Sequence, residues 1–179
     1  MMRLIFILLF AAPALFSCTG IPDGVTAVKG FQLDSYLGVW YEIARLNHSF
    51  ERGLSDVTAT YQLRTDGGID MLNKGYDSEK KSWRDAKGRA YFLGSPDTAS
   101  LKVSFFGSFY GGHHVMALDS KYRWTMIAGP SHKYLWILAR TRTLPLVTLN
   151  ALLEQARNSG FDLEGLIMVS QDNTETGTP

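Results

Sequence analysis

The sequence is poor in cysteine, in proline and in excess charge. Its 179 residues contain a single cysteine, Cys18, so no internal disulfide can cross-link the fold. Six prolines are few enough to leave long segments free to form regular structure. Lysine and arginine total 18 against 17 acidic residues, and a net charge of +1 provides no basic field for nucleic acid. Nucleic-acid partners are therefore not expected.

Signatures of catalysis and metal binding are also missing. The chain has no Gly-x-Ser-x-Gly elbow and no His-Glu-x-x-His motif. Its one pair of histidines, His113 and His114, is adjacent in sequence, and neighbours on a strand point to opposite faces. These features predict a protein that is not an enzyme and that holds no metal or other cofactor.

The N-terminus differs from the rest of the chain. Arg3 is followed by an uncharged stretch, residues 4–16, which is too short for a comfortable membrane span but typical of a signal peptide. The stretch ends in Ser17-Cys18, which resembles the lipobox of bacterial lipoproteins, where the cysteine is acylated and becomes the first mature residue. We therefore expect a signal peptide over 1–17 and an acylated tether over 18–30. An ordinary signal peptide with an incidental cysteine is the alternative.

The resemblance also carries expectations about location. Thr19 follows the cysteine, and in bacterial lipoproteins an Asp there retains the protein in the inner membrane. The sequence thus fits sorting to the cell outer membrane, facing the periplasm. Removal of Arg3 with the signal peptide would leave 17 charges of each sign, so the anchor would be hydrophobic rather than electrostatic.

From Gly38 onward, strand-like segments alternate with turn signals every 8–12 residues. The clearest, from Val57, alternates apolar and polar side chains, and Asp66-Gly67 then favours a tight hairpin. Short connections favour antiparallel neighbours. The predicted strands cover residues 38–47, 56–64, 69–76, 83–93, 101–106, 113–118, 122–128 and 133–140.

The pattern then becomes helical. Pro145 opens a segment whose leucines share one face, and Gly160 ends it, which predicts a helix over 145–159. Residues 166–169 could add a short strand, and 172–179 form a polar, flexible tail. Eight antiparallel strands suit a barrel or a sandwich, and periodicity alone leaves both open. Small residues at inward positions, such as Ala59, Ala86 and Gly88, would leave space inside a barrel.

Three sequence features resemble the lipocalin family. Gly38-Val39-Trp40 matches the family's G-x-W signature, residues 129–134 occupy its second conserved region without the usual Thr-Asp pair, and Arg140 stands where lipocalins place an arginine over the tryptophan. The resemblance extends from 31 to 171. Closer similarity to bacterial outer-membrane lipocalins is carried by residues 40–45, 47–54, 73–76 and 101–112. It implies an all-β, eight-stranded antiparallel up-and-down barrel with one C-terminal helix packed outside.

The resemblance also implies roles for particular residues. Gly38, Trp40 and Arg140 would close the narrow end of the barrel, with the arginine stacked on the indole. Trp136 would line the wall, as the matching tryptophan does in bacterial lipocalins that bind fatty acids and lysophospholipids. The other predicted ligand contacts are Tyr110, Phe105, Phe109, Val57, Ala59, Ala90 and Phe92. A register shifted by one residue would turn each strand's set outward together.

The expected function is lipid binding. A fatty acid such as palmitate, or a lysophospholipid, would lie in the barrel for storage or transport in the cell envelope, with its head near Arg52, Arg84 or His113 at the rim. The protein would be membrane-attached through acylated Cys18, and a homodimer is possible. The alternative is an envelope scaffold or interaction protein whose barrel is filled by its own side chains.

Overall fold

The computed structural model describes residues 18–172. The signal peptide predicted over 1–17, and all of the predicted tail beyond residue 172, lie outside the described residues. Within 18–172, no helix is both long and apolar enough to cross a membrane.

Eight strands and one additional short strand make up the sheet. Apolar and polar side chains alternate in a strand such as 54–63, whereas strand 135–139 is apolar throughout because one of its faces lies inside the barrel and the other under the C-terminal helix. The strands are β1 Gly38–Arg45, β2 Leu54–Leu63, β3 Ile69–Asp77, β4 Ser82–Phe92, β5 Ser100–Phe106, β6 Phe109–Leu118, β7 Trp124–Ala128, β8 Leu135–Ala139 and β9 Ile167–Met168.

The sheet closes on itself. Each strand from β2 to β7 pairs antiparallel with the next, β8 pairs with β1, and β1 returns to pair with β2. The pairing of Trp40 with Ala59 and of Tyr41 with Ala139 places both sides of β1 in the wall. The prediction of a closed eight-stranded antiparallel barrel is confirmed, and β9 extends it by pairing with the end of β1.

Two helices accompany the barrel. A single turn, α1 Leu33–Tyr36, precedes β1 and was not predicted. The predicted C-terminal helix is confirmed as α2 Leu146–Asn158, preceded by Pro145 and ended at Ser159. Its Leu149, Leu152 and Ala156 are buried against outward-facing side chains of the strands, so the helix covers a second apolar core on the outside of the barrel.

Residues 18–30, predicted as a tether, lie against the barrel. The Gly112 N–H donates to the Cys18 carbonyl (2.9 Å), and the Val28 N–H donates to the Val115 carbonyl (2.8 Å). Val25 and Ala27 are buried. This segment therefore runs beside β6 and is fixed to it at both ends.

Candidate ligand-binding cavity

The barrel encloses a cavity of about 90 Å³. Apolar side chains from β2, β3, β5, β7 and β8 supply most of its wall, because inward positions alternate along each strand. Gly88 makes room for one of them, since a Cβ there would lie 2.8 Å from the ring of Phe105. The apolar wall consists of Val57, Ala59, Met71, Val103, Phe105, Ile127 and Leu138.

One end of the barrel is closed by Trp40 and Arg140. The guanidinium lies 3.8 Å from the centre of the fully buried indole ring. Arg140 also donates to the carbonyls of Ser35 (2.9 Å), Leu37 (2.8 Å) and Val39 (2.7 Å), so it ties the α1 turn to the start of β1. Gly38, with φ of 92°, adopts a conformation that favours glycine beside this guanidinium. The three residues predicted for closure thus lie together at this end.

The opposite end is covered by the connection between β1 and β2, residues 46–53, which we call the lid. His48 packs 5.0 Å from the ring of Trp136, and Phe50 stacks on Tyr134 at 6.1 Å. From the lid, the Glu51 side chain points into the cavity and accepts a hydrogen bond from Trp136 Nε1 (2.9 Å). The lid is therefore held shut by a carboxylate of its own.

A buried group of charges lies beneath the lid. Arg45 is 1% exposed; it donates to the Glu42 carboxylate (2.6 Å) and to the Glu51 backbone carbonyl (2.7 Å). Asn73 reaches Glu51 Oε1 at 3.5 Å. Burial raises the pKa of Glu42 well above its usual value, the nearby Glu51 raises it further, and Arg45 acts in the opposite direction.

Two histidines beside this group are neutral at pH 7. Burial, reinforced by the charge of Arg45, lowers the pKa of His48 to about 4. Burial, reinforced by His114, lowers the pKa of His113 to about 3. His113 faces the cavity and its Nε2 has no hydrogen-bond partner, whereas His114 lies on the outer face of the same strand and bonds Ser100 (2.8 Å). The cavity thus contains an unpaired nitrogen that a polar group of a ligand could engage.

The predicted ligand contacts separate into two groups. Trp136, Phe105, Val57 and Ala59 line the cavity. The others do not line it: Phe92 packs against Phe31, Ala90 is buried in the interior opposite Val103, Phe109 is 73% exposed at the lid end, and the Tyr110 ring lies against Lys102.

Tyr110 borders a larger and more open depression of about 640 Å³. Its lining includes the polar side chains of Thr60, Gln62, Lys87 and Arg89, together with Met71 and Phe105, which also line the interior cavity. Charged and polar side chains make up much of this more open surface, so the smaller, mainly apolar interior cavity is the better candidate for an apolar ligand.

Most polar residues of the cavity were not predicted from the sequence. Glu42, Glu51 and Asn73 are of types normally found at the surface, and no alternation pattern marks Glu51 in a connecting segment. His113 is predicted at the rim, and the structure instead buries it in the interior. Alternation along β1 places Glu42 on the same inward face as Trp40, so the position of Glu42 inside the barrel could have been predicted.

Comparison with known proteins gives a consistent family. The family described as Lipocalin-like domain matches residues 31–171. Outer membrane lipoprotein Blc of Citrobacter freundii is 53% identical over 150 residues, covering 84% of this chain and 85% of the relative. The protein of the same name from Vibrio cholerae is 48% identical over 171 residues, covering 95% of this chain and 99% of the relative.

Solved structures agree on the fold. Insecticyanin from the tobacco hornworm Manduca sexta superposes with a TM-score of 0.65 at 19% identity, covering 88% of each chain. The bacterial relatives assign this protein to the outer membrane, and their family supports a role in binding lipids or other small molecules. The chain belongs to the lipocalin-like family.

Proposed function

We propose that the protein binds a single-chain amphiphile, a fatty acid such as palmitate or a lysophospholipid, with its hydrocarbon tail inside the barrel. The observation that carries the proposal is the interior cavity, which has an apolar wall, an end closed by Trp40 and Arg140, and a covered opposite end. Burial of each methylene contributes about 0.8 kcal/mol, so a sixteen-carbon tail would yield roughly 12 kcal/mol before ordering costs.

The lid has to move for such a ligand to enter. A cavity of about 90 Å³ is smaller than the ~150 Å³ cavity that accommodates benzene, so a long tail needs the space now taken by the Glu51 side chain and its neighbours. Displacement of Glu51 frees Trp136 Nε1 and Asn73. A carboxylate or phosphate head group could accept hydrogen bonds from these same donors in its place.

A fluorescence titration tests the proposal. Trp136 lies on the cavity wall, so palmitate or lysophosphatidylcholine should change the emission of the native protein, and this change should be lost in Trp136→Phe. Trp124→Phe is the matched control, because Trp124 packs against the outer core beneath α2 rather than lining the cavity. Persistence of the full signal in Trp136→Phe would place the ligand elsewhere.

The small cavity volume favours one alternative, an envelope scaffold whose barrel is filled by its own side chains. Native mass spectrometry of the purified protein distinguishes the two functions. Retained lipid supports the carrier. Protein free of lipid, together with no emission change on titration, supports the scaffold.

Attachment to the membrane is the second part of the proposal. Cys18 is exposed, and acylation of its thiol would anchor the protein to the outer membrane with the barrel in the periplasm. The intact mass of protein purified from membranes tests this, since acyl chains would add their mass to a chain beginning at Cys18. A full-length chain with a free thiol would contradict it.

A further inference from the structure

The N-terminal segment meets the barrel at the lid end. Cys18 forms a parallel bridge with Gly111, and its carbonyl accepts the Gly112 N–H at 2.9 Å. Gly111 lies near the start of β6, whereas Trp40 and Arg140 lie at the other end of the barrel. The point at which a membrane anchor would leave the fold is therefore on the rim of the cavity opening.

Hydrogen bonds to β6 fix the position of the segment that follows Cys18. The neutral His114 ring accepts from the Ser100 hydroxyl (2.8 Å) and donates Nε2–H to the Gly20 carbonyl (3.0 Å), because a carbonyl can only accept. Gly112 allows the close approach, since a Cβ there would lie 2.5 Å from His114 Nε2 and 3.1 Å from the Gly20 oxygen. The segment next to Cys18 cannot swing away without breaking these bonds.

Exposed aromatic side chains occupy the same rim. Among the residues that the structure describes, the aromatic side chains that are mostly exposed are Phe50 (59%), Phe106 (69%) and Phe109 (73%). Phe106 and Phe109 face each other across a two-residue turn, and Phe109 is two residues from Gly111, about 7 Å along the strand. Exposed phenylalanines cost free energy in water and are favoured at the boundary of head groups and acyl chains.

We propose that this rim, formed by the lid and the β5–β6 hairpin, docks on the lipid bilayer that holds the Cys18 anchor, with Phe50, Phe106 and Phe109 inserted at its surface. The proposal rests on the acylation of Cys18 proposed above. The occupant is a bilayer rather than a protein because the acyl chains proposed for Cys18 would leave the fold beside these rings, at the bridge between Cys18 and Gly111. The cavity opening then faces the hydrocarbon from which its ligand comes.

Fluorescence quenching at single labelled positions tests which end of the barrel contacts the bilayer. The membrane-purified protein that carries the acyl anchor at Cys18 is made as Phe109→Cys and as Val147→Cys, and each new thiol carries an environment-sensitive dye. Val147 is a matched control because it is 78% exposed and lies at the start of α2, shortly after Arg140 at the closed end. In vesicles of phosphatidylethanolamine and phosphatidylglycerol with brominated chains, the dye at 109 should be quenched at least twofold more than the dye at 147.

A second pair of variants separates insertion from mere proximity. A dye at Ser108→Cys should lose most of its quenching in Phe106→Ser/Phe109→Ser and keep it in Leu146→Ser/Val147→Ser. Equal quenching at both ends, or none at 109 on vesicle-bound protein, would overturn the docking while leaving the anchor intact. Shielding of the 109 dye without vesicles, increasing with protein concentration, would assign the rim to a second copy and also overturn it. A free thiol at Cys18 with no vesicle binding would refute both the anchor and the docking that rests on it.

Discussion

Filling the cavity should stabilise the protein and abolish ligand binding. Ala59 lines the cavity, and the substitution Ala59→Leu adds three carbon atoms to it. Unfilled space in a protein interior costs about 24 cal/mol per Å³, so a void of about 90 Å³ corresponds to about 2 kcal/mol. We expect Ala59→Leu to raise the free energy of unfolding by up to about 2 kcal/mol, because the added side chain occupies space that is now empty.

Ala90→Leu is the control for this substitution. Ala90 is buried in the same interior apolar cluster as Ala59 but does not line the cavity. The same three carbons then enter a site without free space, and overpacking costs about 1–3 kcal/mol. The two alanines should therefore respond with opposite signs.

Urea denaturation gives the stability of both variants, and titration with palmitate followed by tryptophan emission gives their ligand binding. Ala59→Leu should be more stable than the native protein and should lose most of its affinity. A destabilised Ala59→Leu that still bound palmitate normally would refute the reasoning, because the cavity would then be neither empty nor the ligand site.

Three further outcomes are expected. Arg140→Ala should lower the free energy of unfolding, measured in urea, by about 3 kcal/mol, because it removes the contact with Trp40 and leaves carbonyl groups unpaired. An effect below about 1 kcal/mol would contradict closure of the barrel by Trp40 and Arg140. Cys18→Ser should leave the urea midpoint unchanged but move the protein from the membrane to the soluble fraction on cell fractionation, since the exposed thiol has no packing role. His113 has a pKa of about 3 in the folded state against 6.5 in the unfolded state, so between these pH values the unfolded state binds one more proton and the free energy of unfolding falls by about 1.4 kcal/mol for each unit that the pH falls. His113→Gln should remove this contribution to the pH dependence of unfolding between pH 7 and 5. An unchanged pH dependence would contradict a neutral buried ring.

The strands could be predicted from the sequence because the alternation of side chains between two faces is a local property of each segment. β2, β3 and β4 lie within two residues of their predicted bounds, and the inward direction of Trp136 and Leu138 followed from counting back from Arg140. This alternation of side chains can be recognised in one segment without knowing which distant residues it contacts.

The β5–β6 hairpin shows where local patterns fail. The pairing shifts between Val103 and Phe106, and β6 runs through this stretch, so Tyr110, three residues before the inward-facing His113, lies outward beside Lys102 rather than at the cavity. The glycines and aromatics of this stretch resemble a loop, and β6 was predicted to begin at His113 although it begins at Phe109. A bulge of this kind depends on the partner strand, which a single segment does not reveal.

The hydrogen bond between Glu51 of the lid and Trp136 also affects the rate of ligand exchange. When the barrel is empty, Trp136 already has a partner in Glu51, so entry requires those bonds to break first. Opening would then set an upper limit on the observed association rate, which would level off at high lipid concentration instead of rising in proportion to it. Substitutions that weaken the bond between Glu51 and Trp136 would speed loading and also raise the affinity at equilibrium, because less free energy is spent on opening the lid.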